Sequence, residues 1–261
     1  MALYFPTTSD HLSAPWVGAQ LTLPFTIGMW IKNDVVNGTT RFPFAIDGVN
    51  SSNYITLFHD TNPGGGNFRL VMRQREGGSN ADASITFAVS AFQSKWYFIA
   101  MRFISTTRRT MDFCSEHLGD SPGAATNTTS RNLPTQSNLR IGWSSVGGAQ
   151  NDNGYVSDFW IYNDRIWPED AGAMPREMTW LMARRGPFAN PYVQRSKMVF
   201  MAPFRNGWVL PGGSRTDQLI QSGYDNNFVF SPEGSPRMVA PNSPMFDAPD
   251  PIRAHNTPIL V

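Results

Sequence analysis

The sequence predicts an all-β protein: an antiparallel sandwich of two sheets, with one short helical segment and an extended, proline-rich C-terminal arm. Three observations predict it. Up to about Trp167, short runs rich in β-branched and aromatic residues are separated by clusters of Gly, Pro, Asn, Asp and Ser, which is how a sandwich reads. Several runs alternate apolar and polar residues with the period of two that a pleated strand imposes. A chain of 261 residues that is 41% hydrophobic and 13% aromatic can bury the core of a large β domain, a class that reaches roughly 200 to 250 residues as one unit.

The first strong strand is "FTIGMWIKND". Phe25, Ile27, Met29 and Ile31 lie on one face and Thr26, Gly28, Trp30 and Lys32 on the other, so one face is fully apolar and a tryptophan is tucked on the second. "NYITLFHD", "FRLVMRQRE" and "ASITFAVS" follow, with "NPGGGN" and "EGGSNADA" read as turns whose glycines supply positive φ. In "KWYFIAMRFIS", Trp96, Phe98, Ala100 and Arg102 alternate with Tyr97, Ile99, Met101 and Phe103, the composition of a central strand covered on both sides. "RTMDFCS" and "NLRIGWSS" come next. "GYVSDFWIYND" closes the series, with Val156, Asp158, Trp160 and Tyr162 set against Tyr155, Ser157, Phe159 and Ile161. Its ending, Trp-Ile-x-Asn-Asp, repeats that of the first strand 130 positions earlier. Nothing between the two repeats at a matching period, so they read as two strands of one sandwich, each ended by turn-forming residues.

Residues 1–167 are thus assigned to the sandwich and 168–186 to a helical segment that closes it. Pro168, Glu169 and Asp170 suit the first turn of a helix; Arg184, Arg185 and Gly186 suit its end. Pro175 breaks the segment in two, and Met178, Leu181 and Met182 share the face expected to meet the body of the protein. In residues 187–261, where eleven of the 20 prolines fall, a strand is expected at about 197–204 and extended backbone elsewhere. The apolar runs "KMVFMAPF", "WVLP", "NFVFSP" and "MFDAP" require a surface to pack on, either this domain or a neighbour.

Composition narrows the function. Lys and Arg total 21 against 20 Asp and Glu, a net charge of +1, so no basic field attracts nucleic acid or an anionic membrane. Cys114 is the single cysteine, which rules out an internal disulfide and fits a reducing compartment. "MALYFPTTSDHL" has neither a basic region nor an apolar core of a secretion signal, and no run approaches the ~18 apolar residues of a membrane span.

The order of "ALYFPTTSDHLS", "LPFTIGMWIKND", "SKWYFIAMRFIS", "NLRIGWSS" and "GYVSDFWIYNDRIWPEDAGAM" resembles that of laminin G-like, concanavalin A-like jelly-roll domains over about Met1 to Ala183. The resemblance implies a jelly-roll sandwich. "LMARRGPFANPYVQRSKMVFMAPFRNG" further resembles family members of bacteriophages, where such chains are virion components.

Candidate sites are few. Glycoside hydrolysis on this fold would need two carboxylates about 5 to 9.5 Å apart. None of Glu76, Glu116, Glu169, Glu177 and Glu233 has a carboxylate two residues away on a β-rich run, so no enzyme is expected. Asp158 matches the family's strand carboxylate, and is read as a strand residue rather than a ligand because fold alone does not supply a site. Asp47 and Asn50, with Asn151, Asp152 and Asn153, are the loop oxygens a calcium ion could use, and equally ordinary turn formers. His11, His59, His117 and His255 have no zinc spacing; Ser145 and Ser157 match no nucleophile elbow; Cys114 has no activating base. Arg69, Met72 and Arg75 form no continuous stripe for nucleic acid, and "TTRR" at Thr106 to Arg109 reads as a solvated turn. No cofactor is expected.

The resulting expectation is a non-enzymatic phage virion protein, made in the host cytoplasm, that decorates a capsid or serves as a head or tail accessory. Its partners are other virion subunits and further copies of itself, reached through Phe228, Phe230, Met245 and Phe246. The alternative is a lectin-like carbohydrate-binding module that attaches to a host surface glycan.

Overall fold

In a computed structural model of the chain, the residues described are 2–5, 7, 10–34, 40–60, 66–116, 123–142, 154–168, 173–202, 231–233 and 237–239. Among these, the first sheet runs β10 (Gly123–Asn127), β9 (Arg108–Ser115), β8 (Tyr97–Ser105), β3 (Phe25–Asn33), β12 (Gly154–Tyr162), β1 (Ala2–Phe5) and β15 (Arg237–Val239). The second runs β14 (Ser231–Glu233), β2 (His11–Pro15), β11 (Asn138–Ile141), β4 (Arg41–Asp47), β5 (Tyr54–Asp60), β6 (Asn67–Glu76) and β7 (Ser79–Ala88). Every pairing is antiparallel. β13 (Met198–Ala202) shares with β1 the edge of β12 that faces away from β3: β1 pairs with residues 154–156, β13 with residues 159–162. This is the expected two-sheet jelly-roll sandwich.

Two cores explain the alternation. Phe25, Ile27, Met29 and Ile31 of β3 and Tyr97, Ile99, Met101 and Phe103 of β8 face the second sheet and meet Phe44, Ile46, Leu57, Leu70 and Met72 there. On the opposite face Trp30, Phe98, Ala100 and Cys114 lie under a helix, α2 (Arg176–Arg185). The first sheet is therefore covered on both sides, as β8's composition requires, whereas β7 of the second sheet alternates buried and exposed residues toward solvent. The two Trp-Ile-x-Asn-Asp strands are neighbours, β3 beside β12.

Several local expectations change. Strict alternation would put Val156 on the face of Trp160 and Tyr162. Instead Val156, Phe159 and Ile161 enter the inter-sheet core, and Tyr155, Trp160 and Tyr162 the core under α2. The register with β3 shifts between Ser157 and Trp160, and Asp158 has φ 50, so a β-bulge there adds one residue and reverses the faces on either side. Asp tolerates that left-handed conformation better than most residues. The expected turn "EGGSNADA" is only two residues long: Gly77 and Gly78, at φ 55 and 82, form a tight hairpin, and β7 starts at Ser79. β4 was hidden by Pro43, which lacks a ladder donor; it sits where the register with β5 shifts, between Arg41 and Phe44.

The helical segment also differs from expectation. Residues 173–175 are not helical and Pro175 is the N-cap of α2, because a proline ring can open a helix but not continue one. The buried face is Thr179, Trp180, Met182 and Ala183, with Met178 and Leu181 only partly covered. Trp30 Nε1 donates to Ala183 O at 3.0 Å, tying the helix to β3.

Candidate functional site

Several residues singled out in the sequence are held in place by contacts of the fold itself. Asp158 is buried at the bulge beside Ser157. Asp47 Oδ2 accepts from Arg140 Nε at 2.5 Å. Asn50 Oδ1 accepts the Ser52 amide at 3.0 Å and Asn53 Nδ2 at 2.8 Å, so Asn50 belongs to the β4–β5 turn, whereas Asp47 ends β4 and ties it to β11. Cys114 is buried, and that burial raises its thiol well above the ordinary range. Arg109 is not solvated: it is fully buried and donates to Gln74 Oε1, Asn127 Oδ1, Thr129 O and Thr106 O at 2.7–3.1 Å. Burial, then Arg131, lowers its pKa to about 10. Asn151, Asp152, Asn153, Ser145, His117 and His255 lie outside the described residues, as do Phe228, Phe230, Met245 and Phe246.

His59 is fully buried against Phe68 and Phe92, with ring centroids 4.8 and 6.0 Å away, and its Nε2 lies 2.8 Å from Asn33 Oδ1. Asn33 Oδ1 can only accept, so the neutral Nε2–H tautomer donates. Burial, then the charge of Arg41, lowers its pKa from 6.5 to about 3. Because the unfolded chain binds this proton more tightly, the stabilisation is complete above pH 6.5 and is lost as pH falls toward 3. Stability is expected to drop by about 2 kcal/mol between pH 6.5 and 5, where most carboxylates remain ionised. Urea unfolding at the two pH values measures it, and a His59→Gln variant should lose this acid sensitivity. Equal midpoints for the parent chain would contradict a buried neutral imidazole.

The flank carrying β1 and β2 is where the C-terminal residues act. β1 and β2 are the outermost strands of the two sheets contributed by the N-terminal part of the chain. β15 pairs with β1 (Ala2↔Val239, Leu3↔Met238, Tyr4↔Arg237) and β14 with β2 (Ser13↔Ser231, Leu12↔Pro232, His11↔Glu233). Residues 231–233 and 237–239 thus place one short strand on each sheet, using main-chain hydrogen-bonding capacity that an open edge would expose. Pro232, unable to donate, is compatible with an edge position. "SPEGSPRMV" carries the signal in retrospect, as two short runs around Gly-Ser-Pro, but neither is long enough to read as a strand alone.

No helix among the described residues is long and apolar enough to cross a membrane. Within the described residues, no group of three or more His, Cys, Asp or Glu is placed to hold a metal ion.

A family model described as the concanavalin A-like lectin/glucanases superfamily, in its laminin G form, matches residues 6–171. No curated protein matches the chain. Among solved structures, full-length tailspike protein 2 of the Escherichia coli O157:H7 bacteriophage CBA120 is similar at 13% identity, over 78% of this chain and 28% of that one, with a TM-score of 0.51. Its enzymatically active domain is similar at 12% identity, over 78% of this chain and 31% of that one, with the same TM-score of 0.51. Mouse laminin alpha1 chain, domains LG4-5, is similar at 12% identity, over 62% of this chain and 42% of that one, with a TM-score of 0.47. The chain spans less than half the length of each of these three, and at such identities the likeness to the two tailspike structures is one of fold. The family match over more than half the chain and the two-sheet topology lead to one conclusion: the chain belongs to the concanavalin A-like lectin/glucanase superfamily, as a laminin G-like domain.

Proposed function

We propose that the chain is a non-enzymatic structural component of a bacteriophage virion, a capsid decoration or a head or tail accessory protein, joined to further copies of itself through the residues after Ala202. The observation that carries this reading is the pairing of β14 and β15 with the open edges of both sheets. The 28 residues from 203 to 230 have a contour length of up to about 90 Å at ~3.3 Å per residue, enough to deliver the same two strands to an adjacent subunit. Exchange of an identical element reuses every contact of the closed form, so it joins subunits at little cost. Phe228 and Phe230, which immediately precede β14, and Met245 and Phe246 beyond β15 supply apolar anchors for the neighbour. The fold likeness to a phage tailspike supports the virion setting.

The carboxylates support the absence of catalysis. Asp60, Asp82, Asp112 and Asp164 pair with Arg69, Arg73, Arg102 and Lys197. Glu76 accepts from Asn132, and Glu116 from the Trp96 amide. No pair among these is left to share acid and base roles.

The register supplies the test. In an Ala2→Cys/Val239→Cys double variant, carried on particles that contain the chain and then oxidised, the two thiols are opposite one another across β1 and β15. Covalent multimers on a non-reducing gel are expected, with buried Cys114 silent. Absence of the chain from purified particles, or only internally bonded monomer, overturns the proposal.

A further inference from the structure

The two flanks of the second sheet end differently. Beside β2 the last place is taken by β14, three residues long, whereas the far flank ends on β7, ten residues long. β7 pairs with β6 at every position from Ser79 to Ala88 without a register shift, so it carries no bulge. Its sequence, "SNADASITFA", holds no Pro, Lys or Arg. Its one acid, Asp82, is held by Arg73 at 2.7 and 2.8 Å. The usual devices that blunt an exposed edge are therefore missing. The Gly77–Gly78 hairpin fixes which groups this edge presents. In a two-residue hairpin the residues flanking the turn, Glu76 and Ser79, exchange both hydrogen bonds. Alternation then directs the N–H and C=O groups of Asn80, Asp82, Ser84 and Thr86 away from β6. Asn80 O is used by Arg131, at 3.2 Å. Among the described residues, Asp82, Ser84 and Thr86 have no main-chain partner outside β6. β10, the edge of the first sheet, pairs with β9 and not with β7.

We propose that β7 is a contact between two copies of the chain, paired antiparallel about a two-fold axis at Ser84, so that the second sheet continues from one subunit into the other. β7 is complementary to its own reverse. With Ser84 opposite its counterpart, Ala81 faces the partner's Phe87 and Ala83 the partner's Ile85. Ala81 and Ala83 are buried, whereas Ile85 and Phe87 are only partly covered, so the bulky end of each strand lies beside the small end of the other and gains cover. On the outer face Asp82 meets the partner's Thr86, whose hydroxyl can donate to the carboxylate, and no two like charges stand opposite each other. The same register brings outward N–H and C=O groups into hydrogen-bonded pairs, whereas a slip by one residue would set them against groups already turned toward β6. This edge lies at the opposite end of the second sheet from β14. The inference does not rest on assembly through residues 231–239, and either can fail alone.

The test follows the full chain by sedimentation equilibrium over a concentration series, with two cysteine variants oxidised in parallel. A reversible dimer is expected. Ser84→Cys should give a covalent dimer on a non-reducing gel, because the two positions face each other at the axis. Ala88→Cys, exposed on the same strand, should not, because it would lie opposite the partner's Asn80, roughly 26 Å along the strand from its own counterpart at ~3.3 Å per residue. Ser84→Pro removes one outward N–H and leaves the pairing with β6 intact, and Ser84→Lys sets two like charges at the axis. Each should raise the dimer dissociation constant at least about tenfold with an unchanged circular dichroism spectrum, and the lysine variant keeps the test decisive if the proline disturbs the edge. Three outcomes overturn the proposal: the parent chain stays monomeric over the whole series; Ser84→Lys associates as the parent does; or Ser84→Cys and Ala88→Cys form covalent dimers equally.

Discussion

Asp112→Ala is expected to destabilise the protein by about 3–5 kcal/mol, the cost of leaving a buried charge without its partner. Arg102 and Asp112 are 3% and 1% exposed; Arg102 Nε donates to Asp112 Oδ2 at 2.7 Å and its second nitrogen to Oδ1 at 3.3 Å. The Met174 amide donates to the same Oδ1 at 2.7 Å, so one carboxylate joins β8 and β9 to the segment that leads into α2. Burial pushes the Asp112 pKa up, against the opposing pull of Arg102 and the Met174 amide. That desolvation makes the pair a poor source of net stability and an expensive one to break. An Arg102→Met/Asp112→Leu double variant should therefore lose less than Asp112→Ala alone. Urea unfolding followed by circular dichroism measures both, and a loss below about 1 kcal/mol for the single variant would show that Asp112 is solvated.

Gly28→Ala should cost about 3 kcal/mol, toward the upper end for overpacking a core. Gly28 lies opposite Trp160 in the β3–β12 register, and a Cβ there would sit 2.0 Å from Trp160 Cζ2 and 2.2 Å from Cε2. The indole is almost fully buried beneath α2 and cannot swing away without leaving the core it shares with Trp30 and Tyr162. Relief should come from the partner: Gly28→Ala combined with Trp160→Leu is expected to be more stable than the sum of the two separate losses predicts, since the clash disappears. Strict additivity in the same unfolding experiment would sink the close-packing explanation.

The sequence by itself determined the secondary structure wherever one local pattern dominated. β3 and β8 were legible because each keeps strict alternation over its whole length, and their two apolar faces already announced a sheet covered on both sides. The ordered motifs carried the fold family because their sequence and order along the chain are local facts, whatever the burial of each strand.

Only the tertiary structure decided the rest. The bulge at Asp158 reverses the faces of β12, and nothing local distinguishes a bulged Asp from an outward strand Asp until β3 sets the register. Pro43 hid β4, which exists because β5 and β11 pair on either side of it. Adjacent arginines at the start of β9 turn to opposite faces, Arg109 inward to four hydrogen bonds, which the solvated-turn reading of "TTRR" did not show. Strands of three residues such as β14 and β15 are too short for any periodicity to register. They are specified by the open edges that receive them, because main-chain pairing depends on what lies alongside a segment in space, a neighbour the local sequence does not name.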